Sequence, residues 1–503
     1  MHRPPTAEAE VAEELAALRP GLLPRFTAEL PGARAAVLTR LWRALACEPL
    51  PWITGRDVAG EDLVLRLRDG RRLSGPRADP YRTDAYVTAV RGAEAVYDDP
   101  ARLMTDLAVP HSEGFAAELG HSVASMALSR AGSTVRPDDW PEADWEWEQR
   151  VVDGHPFHPN CRSRPGFSVA DQLAYGPEHG PVVALAQVPV PAAECLVTGV
   201  WPDSLRGGGR ILLPVHPWQA AQVLKRPAGN GDRIDAHPLM SLRTLAVDGG
   251  PHVKTALSAR LTSSVRDISV ASIAASAALS AFGAELAARG EGLLHVTRTL
   301  GAATAHSPDL AAVLRESPAR YAGPGERVVP VAALATTSLP RRPGWTAALA
   351  RLALHVGLRA LEAGVALEAH GQNLLVVLSP EGEPLRLVYR DLADLRISPA
   401  RLARHGIPVP DVPARMVTDD PVALRRKLFG SLVAGALAGV AGSGPALREA
   451  LATAVRDLPR TPDLDALGAE PLPAKALTLM RLSPERSGDR WAELPNPLRS
   501  DRG

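Results

Sequence analysis

The segment of residues 154–167 restricts the local fold of this chain more than any other. It reads Gly-His-Pro-Phe-His-Pro-Asn-Cys-Arg-Ser-Arg-Pro-Gly-Phe, so that His155 and His158 are each followed by a proline. Proline fixes its own φ angle and disfavours a helical conformation in the residue before it, which holds both histidines on extended backbone. Arg162 and Arg164 follow closely, and guanidinium groups bind carboxylates and phosphates well. The segment therefore predicts an anion-binding loop.

Length and composition exclude several classes of protein. A chain of 503 residues is too long for one ordinary core, so two or three domains are expected. A net charge of zero provides no basic field to attract nucleic acid or an acidic membrane. No run of eighteen apolar residues and no signal peptide is visible, so we expect no membrane span. Three scattered cysteines form no metal-type pair, which favours a reduced, cytoplasmic setting.

Hydrophobic spacing predicts a mixture of helices and strands. The helical segments are expected over residues 7–46 with a break at Pro31, over 100–132, over the tryptophan-rich residues 140–148, and over 270–290 and 346–364. The strands are expected as a small hairpin near 63–70, a strand-rich region from 182 to 270, and a second hairpin over 373–389.

Two further segments follow strands. Val215-His216-Pro217-Trp218-Gln219 is most simply a turn that closes over a hydrophobic surface. Residues 254–267 begin at Lys254, one of only four lysines in the chain, and end in three hydroxyl residues, a valine, Arg266 and Asp267. Hydroxyl groups and free backbone N–H groups at a helix start form an anion site, which Arg266 strengthens. The alternative is that Ser264 or Asp267 only caps the helix.

A fourth cluster combines Glu368-Ala369-His370-Gly371-Gln372-Asn373 with Arg390-Asp391 after a hairpin. The hairpin returns the Arg-Asp pair to the end of the sheet where the first group lies. Carboxylate and amide oxygens at this spacing suit Mg²⁺, which prefers oxygen ligands and is commonly shared with phosphates. The predicted metal ligands are Glu368, Asn373 and Asp391.

These four blocks, in this order, resemble the IucA/IucC family of synthetases that assemble siderophores without a nonribosomal peptide synthetase. The C-terminal segment Lys475-Ala476-Leu477-Thr478-Leu479-Met480-Arg481-Leu482 resembles the ending of that family. The resemblance implies an α+β, mixed α/β, multidomain fold shaped like a hand. It implies a helical thumb over residues 1–141, a strand-rich fingers domain over 142–330 and a palm over 331–503.

The resemblance also implies an ATP-dependent, Mg²⁺-dependent ligase. Such an enzyme adenylates a polycarboxylate, most plausibly citrate or a derivative, and an amine, hydroxylamine or alcohol then displaces AMP. Positive groups and a metal ion must offset the charge of the two anionic substrates. The family further implies a homodimer.

By matching positions, Lys254, Ser264 and Arg266 hold phosphates and the reacting carboxylate. His155, His158 and Arg164 line the shared pocket, and His370 faces the activated carboxyl. Gln372 and Asn373 lie near the nucleotide. The catalytic set is His158, Lys254, Arg266 and His370, and a further carboxylate contact comes from Arg289 or Arg298.

Two alternative functions stay open at this stage. The cluster with Asp391 after a hairpin also resembles kinase-like catalytic loops, which suggests a small-molecule phosphotransferase, although no glycine-rich phosphate loop precedes it. Asp267 stands where the family usually has threonine, and a carboxylate there repels phosphate. This departure favours a non-catalytic relative that binds a carboxylate or a nucleotide.

Overall fold

The computed structural model describes residues 6–133, 135–136, 139–226, 232–261, 264–486 and 488–499. The mixed α/β architecture predicted from the sequence is confirmed, with 43% helix and 22% strand. The helices are α1 (Ala7–Leu18), α2 (Leu23–Cys47), α3 (Pro100–Leu107), α4 (Ser112–Gly132), α5 (Asp144–Gln149), α6 (Val169–Tyr175), α7 (Val270–Ala288), α8 (Val331–Leu334), α9 (Trp345–Glu362), α10 (Pro399–Arg404), α11 (Pro421–Ser431), α12 (Ala438–Ala441), α13 (Gly444–Ala454), α14 (Pro462–Ala469) and α15 (Leu477–Arg481).

The strands form one large sheet and several small ones. They are β1 (Ile53–Ala59), β2 (Asp62–Leu67), β3 (Arg72–Pro76), β4 (Val90–Arg91), β5 (Val96–Tyr97), β6 (Val183–Pro191), β7 (Leu196–Gly199), β8 (Arg206–Gly207), β9 (Arg210–Val215), β10 (Ile234–Pro238), β11 (Thr244–Ala246), β12 (His252–Thr255), β13 (Leu257–Leu261), β14 (Ser264–Arg266), β15 (Leu294–Val296), β16 (Thr299–Ser307), β17 (Leu310–Arg315), β18 (Arg327–Pro330), β19 (Val365–Ala366), β20 (Leu374–Leu378), β21 (Pro384–Tyr389), β22 (Arg396–Ile397), β23 (Leu472–Lys475) and β24 (Trp491–Leu494).

The N-terminal helices and the sheet β1-β2-β3-β4-β5 share one hydrophobic core. The largest buried side chains of this core include Trp42 and Phe26, both on α2. The predicted break at Pro31 is wrong: Pro31 lies inside α2, and the chain breaks between α1 and α2 instead, around Pro20. The packing of α2 against the core outweighs the single backbone hydrogen bond that an internal proline removes.

A nine-stranded sheet of order β7-β16-β17-β12-β11-β10-β6-β9-β8 forms the middle of the molecule. Side chains alternate between its two faces, because successive residues of a strand point in opposite directions. On β12, Val253 packs into the hydrophobic core of one face, whereas Lys254 and His252 line a cavity on the other. This alternation brings charged groups of the central strands to one side of the sheet.

The C-terminal part surrounds a four-stranded sheet of order β15-β21-β20-β18. The predicted hairpin over 373–389 is confirmed as the antiparallel pair β20 and β21. Helices α7 and α9 pack beside this sheet and belong to the largest hydrophobic core. The division into three domains at residues 141 and 330 stays a prediction.

Helix α7 is apolar and long enough to cross a membrane by length and composition alone, with a mean hydropathy of 1.5 over its most apolar window. It packs against β7, β15 and β16, and its residues Ser272 and Ser276 line the cavity. Helices α11–α13 pass the same test only as a pair bent by 118°. The contacts of α7 make it part of the wall of the cavity.

We predict that Leu38→Ala lowers the free energy of unfolding by about 2–5 kcal/mol, because it leaves a void in the N-terminal core. The matched control is Leu18→Ala, since Leu18 ends α1 and is 52% exposed. Urea denaturation followed by circular dichroism measures both variants. Equal midpoints for the two variants would contradict the core assignment.

Candidate active site

A cavity of about 1130 Å³ lies between the central sheet and the C-terminal part. Among the residues that the structure describes, thirteen arginine and lysine residues line it, against seven aspartate and glutamate residues. This excess of positive charge stands out in a chain whose net charge is zero. The cavity is therefore built to hold a ligand that carries several negative charges.

The histidines of the predicted motifs point into this cavity with a fixed ring orientation. The Nδ1 atom of His155 accepts a hydrogen bond of 3.1 Å from the backbone N–H of Phe157, and Nδ1 of His370 accepts one of 3.2 Å from Gln372. Desolvation within the cavity lowers the pKa of both rings, although the side chain of His155 stays accessible to solvent there. A neutral ring in this orientation carries its proton on Nε2. Each ring thus offers an N–H donor without a charge of its own.

His158 is enclosed more tightly than the other two histidines. Its exposed fraction is 3%, and neither ring nitrogen has a hydrogen-bond partner of good geometry among the described residues. Burial, together with the nearby charge of Arg266, lowers its pKa to about 3. Because buried polar atoms are nearly always satisfied, these nitrogens are suited to a ligand.

Arg162 and Arg164 line the cavity but share the buried carboxylate of Glu178, at 3.4 and 2.8 Å. Burial opposes ionisation of Glu178, yet the two guanidinium groups hold its pKa well below the usual range. Arg162 also donates to the carbonyl groups of Val151 and Val152. Both arginines therefore shape the predicted anion loop while contributing charge to its surface.

Asp391 joins two cations from the central sheet. Its carboxylate lies 2.6 Å from Nζ of Lys254 and 3.0 Å from a guanidinium nitrogen of Arg315. Burial favours the neutral carboxyl, but Arg315 and Lys254 outweigh it and lower the pKa of Asp391. Burial also lowers the pKa of Lys254 to about 7, against the opposing effect of Asp391.

Glu368 lies between two lysines from the C-terminal part of the chain, as Glu178 and Asp391 each lie between two cations. Nζ of Lys427 and of Lys475 lie 2.9 and 3.0 Å from the same carboxylate oxygen. Burial raises the pKa of Glu368, but Lys475 and Lys427 lower it further, to about 2. Three of the four lysines in the chain thus line this cavity.

The predicted magnesium ligands Glu368, Asn373 and Asp391 all reach the cavity, but their arrangement does not fit a metal ion. Each carboxylate is already neutralised by two cations. Among the described residues, no group of three or more His, Cys, Asp or Glu side chains could hold a metal. The carboxylates are counter-ions for the cations of the protein.

The predicted helix start is wrong, whereas the anion site itself stays a prediction. Ser264 and Arg266 lie on β14, which pairs with β13, and α7 begins only at Val270. The side chain of Ser269, and not that of Asp267, caps this helix. The side chain of Ser264 lies outside the described residues, whereas Arg266 lines the cavity and faces the charges of Asp391, Asp394 and Glu368.

Other predicted site residues separate into two groups. Gln372 and Asn373 line the cavity next to His370, as expected from their sequence. Arg289 and Arg298 are not among its lining residues, because Arg289 pairs with Glu285 on the same helix and Arg298 pairs with Glu316. The carboxylate contact predicted for one of these two arginines has no support in the geometry.

Two cavity arginines, and the carboxylate partner of a third, lie outside the motifs read from the sequence. Arg243 and Arg315 reach the cavity from two strands of the central sheet, and their charges lower the pKa of Lys254. Arg390, next to Asp391, forms a buried ion pair with Glu148, which lies 242 residues away in the sequence. Of the residues in this paragraph, only Arg390 belongs to a sequence motif, together with Asp391. Strand pairing brings the others to the cavity, and the sequence does not show that pairing.

Helix α4 positions the anion loop through polar groups on a largely buried helix. The carboxylate of Glu118 accepts a hydrogen bond of 2.6 Å from the side chain of Asn160 and one of 2.9 Å from Nε of Arg481. One turn further, the hydroxyl of Ser122 donates to the carbonyl of Pro159 and accepts from the backbone N–H of Arg162. Glu118 therefore ties the loop to the segment that carries Lys475.

The same architecture is found in solved siderophore synthetases. The petrobactin biosynthesis protein AsbB of Bacillus anthracis superposes with a TM-score of 0.77 at 19% identity, covering 95% of this chain and 97% of that one. The ATP-bound aerobactin synthetase IucA of Klebsiella pneumoniae superposes with a TM-score of 0.72 at 19% identity, covering 93% and 99%. At these identities the likeness establishes the fold, which is that of this class of synthetases.

Two family models match parts of this chain. Residues 144–336 match the model of the IucA/IucC family, and residues 344–490 match one described as a ferric iron reductase FhuF-like transporter. A citryl-spermidine/3,4-dihydroxybenzoyl-citryl-spermidine:spermidine ligase of Bacillus anthracis is 24% identical over 309 residues, which are 49% of this chain and 50% of that protein. The matched region spans about half the length of this curated relative.

We predict that Glu118→Ala weakens binding of tripolyphosphate, used as a probe polyanion, by about tenfold. The variant releases Asn160 and Arg481, and hydrogen bonds to charged groups contribute about 1.5–3 kcal/mol each. The matched control is Glu113→Ala, an exposed glutamate in the first turn of the same helix. Isothermal titration calorimetry measures both, and unchanged affinity in a folded Glu118→Ala protein would exclude the positioning role.

Proposed function

We propose that this protein is an ATP-dependent ligase that adenylates a polycarboxylate, citrate or a derivative, and condenses it with an amine, hydroxylamine or alcohol. The observation that carries the proposal is the excess of thirteen cationic over seven anionic side chains in one cavity. Two anionic substrates held together, a triphosphate and a polycarboxylate, require such an excess.

The relatives support the same reaction class. The superposing aerobactin synthetase is ATP-bound, and the matched ligase of Bacillus anthracis joins spermidine to citryl compounds, according to their descriptions. A carboxylate is a poor electrophile, and adenylation converts it into a mixed anhydride that an amine can attack. The products of this reaction are AMP and pyrophosphate.

The residues of the cavity have distinct roles in this proposal. Lys254 and Arg266 hold the phosphates beside the reacting carboxylate, where their charge stabilises the transition state. His155, His158 and His370 present neutral ring nitrogens to the carboxylate oxygens. This arrangement positions the two substrates, and positioning supplies a large part of the catalysis.

Arg164, Gln372, Asn373 and Ser264 complete the proposed site. Arg164 contributes positive charge at the anion loop while it stays paired with Glu178. Gln372 and Asn373 contact the nucleotide from the turn after His370. Ser264 is assigned to a phosphate contact by its position in the motif alone.

No step is assigned to a protein-bound Mg²⁺, because the two carboxylates proposed as its ligands are engaged by lysine and arginine side chains. A homodimer remains a prediction from the family, and a cytoplasmic location remains a prediction from the scattered cysteines. A phosphotransferase would release ADP, and a non-catalytic protein would release no nucleotide product. One experiment therefore distinguishes both alternatives from the ligase.

We predict that the purified protein, incubated with ATP, MgCl₂, hydroxylamine and a panel of di- and tricarboxylates, forms AMP and pyrophosphate in the presence of one tricarboxylate. Anion-exchange chromatography of the nucleotides measures this. Arg266→Ala and His370→Ala are expected to reduce the rate by about 10²-fold or more, since each removes a preorganised charge or donor. ADP would identify a phosphotransferase, and no nucleotide product with any acid would favour a binding protein.

The matched controls for these variants are Arg460→Ala and His111→Ala. Arg460 and His111 have side chains that are 85% and 51% exposed and lie outside the cavity lining. Both controls are expected to keep the wild-type rate. If folded Arg266→Ala and His370→Ala also kept it, the proposed site would be wrong.

A further inference from the structure

His252 lies in the cavity wall, outside the motifs that predicted the site. It begins β12, and its exposed fraction is 4%. Lys254 is two residues further along the same strand, so the two side chains lie on the same face of the sheet, about 7 Å apart along the strand. His252 is therefore a close neighbour of the Lys254–Asp391 pair.

The neighbouring strand β17 places a second cation beside His252. His252 pairs directly with Arg315 across the antiparallel strands β12 and β17. Directly opposed residues of such strands have their side chains on the same face. Because Arg315 also binds Asp391, the imidazole is adjacent to the cationic groups that hold the reacting carboxylate and phosphates in the proposed function.

Asp144 determines which ring nitrogen of His252 carries a proton. Its Oδ2 atom lies 2.9 Å from Nε2 of His252 and accepts a hydrogen bond of 2.7 Å from the hydroxyl of Ser317. Burial opposes ionisation of Asp144, but His252, Ser317 and Arg390 outweigh it and lower its pKa. An ionised carboxylate can only accept hydrogen bonds, so Nε2 of His252 carries the proton.

With Nε2 as the donor to Asp144, the neutral form of the imidazole has its lone pair on Nδ1. Among the described residues, no group forms a hydrogen bond to that atom. A carboxylate that holds one ring nitrogen as a donor orients the other nitrogen as a base and stabilises the imidazolium that forms. This is the arrangement of a general base facing a substrate cavity.

From this geometry we propose that His252, positioned by Asp144, is the general base that deprotonates the amine nucleophile. The inference rests on the proposed ligase function. An alkylammonium substrate gives one proton to Nδ1 of His252 and becomes a neutral amine. The nitrogen lone pair attacks the acyl carbon of the adenylate, the C–N bond forms, and the C–O bond to AMP breaks with its electron pair on AMP. The second proton of the nitrogen leaves to solvent.

The test uses two nucleophiles that differ in their need for a base. A primary alkylamine such as spermidine is protonated at pH 7, whereas hydroxylamine is already neutral. His252→Gln keeps an amide N–H for Asp144 but has no base. We expect it to lower kcat with the alkylamine by about 10²-fold, the usual effect of a general base, and to change kcat with hydroxylamine less than threefold.

Asp144→Asn is the second variant. It keeps an acceptor for Nε2 but removes the charge, so we expect a decrease of about tenfold with the alkylamine only. Acid-dependent pyrophosphate release in the absence of a nucleophile is measured on the same preparations. Because adenylation needs no base, we expect this release to decrease by a smaller factor than condensation with the alkylamine in both variants. Circular dichroism shows whether they are folded.

The outcomes separate the two proposals. If the wild-type protein forms no AMP or pyrophosphate with any acid, the proposed function fails. If the wild-type protein is active and His252→Gln reacts equally well with both nucleophiles, or loses both equally, His252 is not the base. A selective loss with the alkylamine supports the inference.

Discussion

Three carboxylates hold the cavity of this protein together, and each of them lies between two cations. Glu178 and Glu368 are buried, and Asp391 is partly buried. Glu178 joins Arg162 and Arg164, Asp391 joins Lys254 and Arg315, and Glu368 joins Lys427 and Lys475. Without these carboxylates, the cations would repel one another in surroundings that water screens poorly. Removing one partner from a buried ion pair leaves an uncompensated charge, which is strongly destabilising.

The same interactions connect parts of the chain that are far apart in sequence. Asp391 follows the hairpin of β20 and β21 but pairs with two strands of the central sheet, and Glu368 pairs with Lys475 at 107 residues' separation. The ion pairs thus bring the central sheet and the C-terminal part to one cavity. Around Glu178 and around Asp391, two cations face one carboxylate, which leaves a positive charge that a polyanionic ligand can neutralise. Lys427 and Lys475 also pair with Asp489, so that group is balanced.

Local sequence predicted local structure well in this chain. The prolines after His155 and His158 predicted a non-helical loop, and each histidine begins a turn. Hydrophobic spacing predicted the hairpin of β20 and β21. The four motif blocks also predicted which histidines and amides share the cavity. Failures came where packing overrides local preference, as at Pro31, which lies inside a buried helix.

Partners from distant parts of the chain could not be predicted. Glu118, Glu178 and Asp144 have no motif around them, and their roles follow only from the helices and strands that surround them. The predicted magnesium site shows the same limit. The spacing of Glu368 and Asp391 suited oxygen ligands, but the sequence did not show that lysines pair with both carboxylates.

We infer that the carboxylates of the cavity and a bound polyanion neutralise the same cations. The thermal unfolding midpoint of Glu368→Gln, with and without tripolyphosphate, tests this inference against the wild-type protein. We expect a lower midpoint for the variant in buffer and a larger increase on adding tripolyphosphate than the wild-type protein shows. A variant with the wild-type midpoint, or one that tripolyphosphate stabilises no more than the wild-type protein, would contradict it.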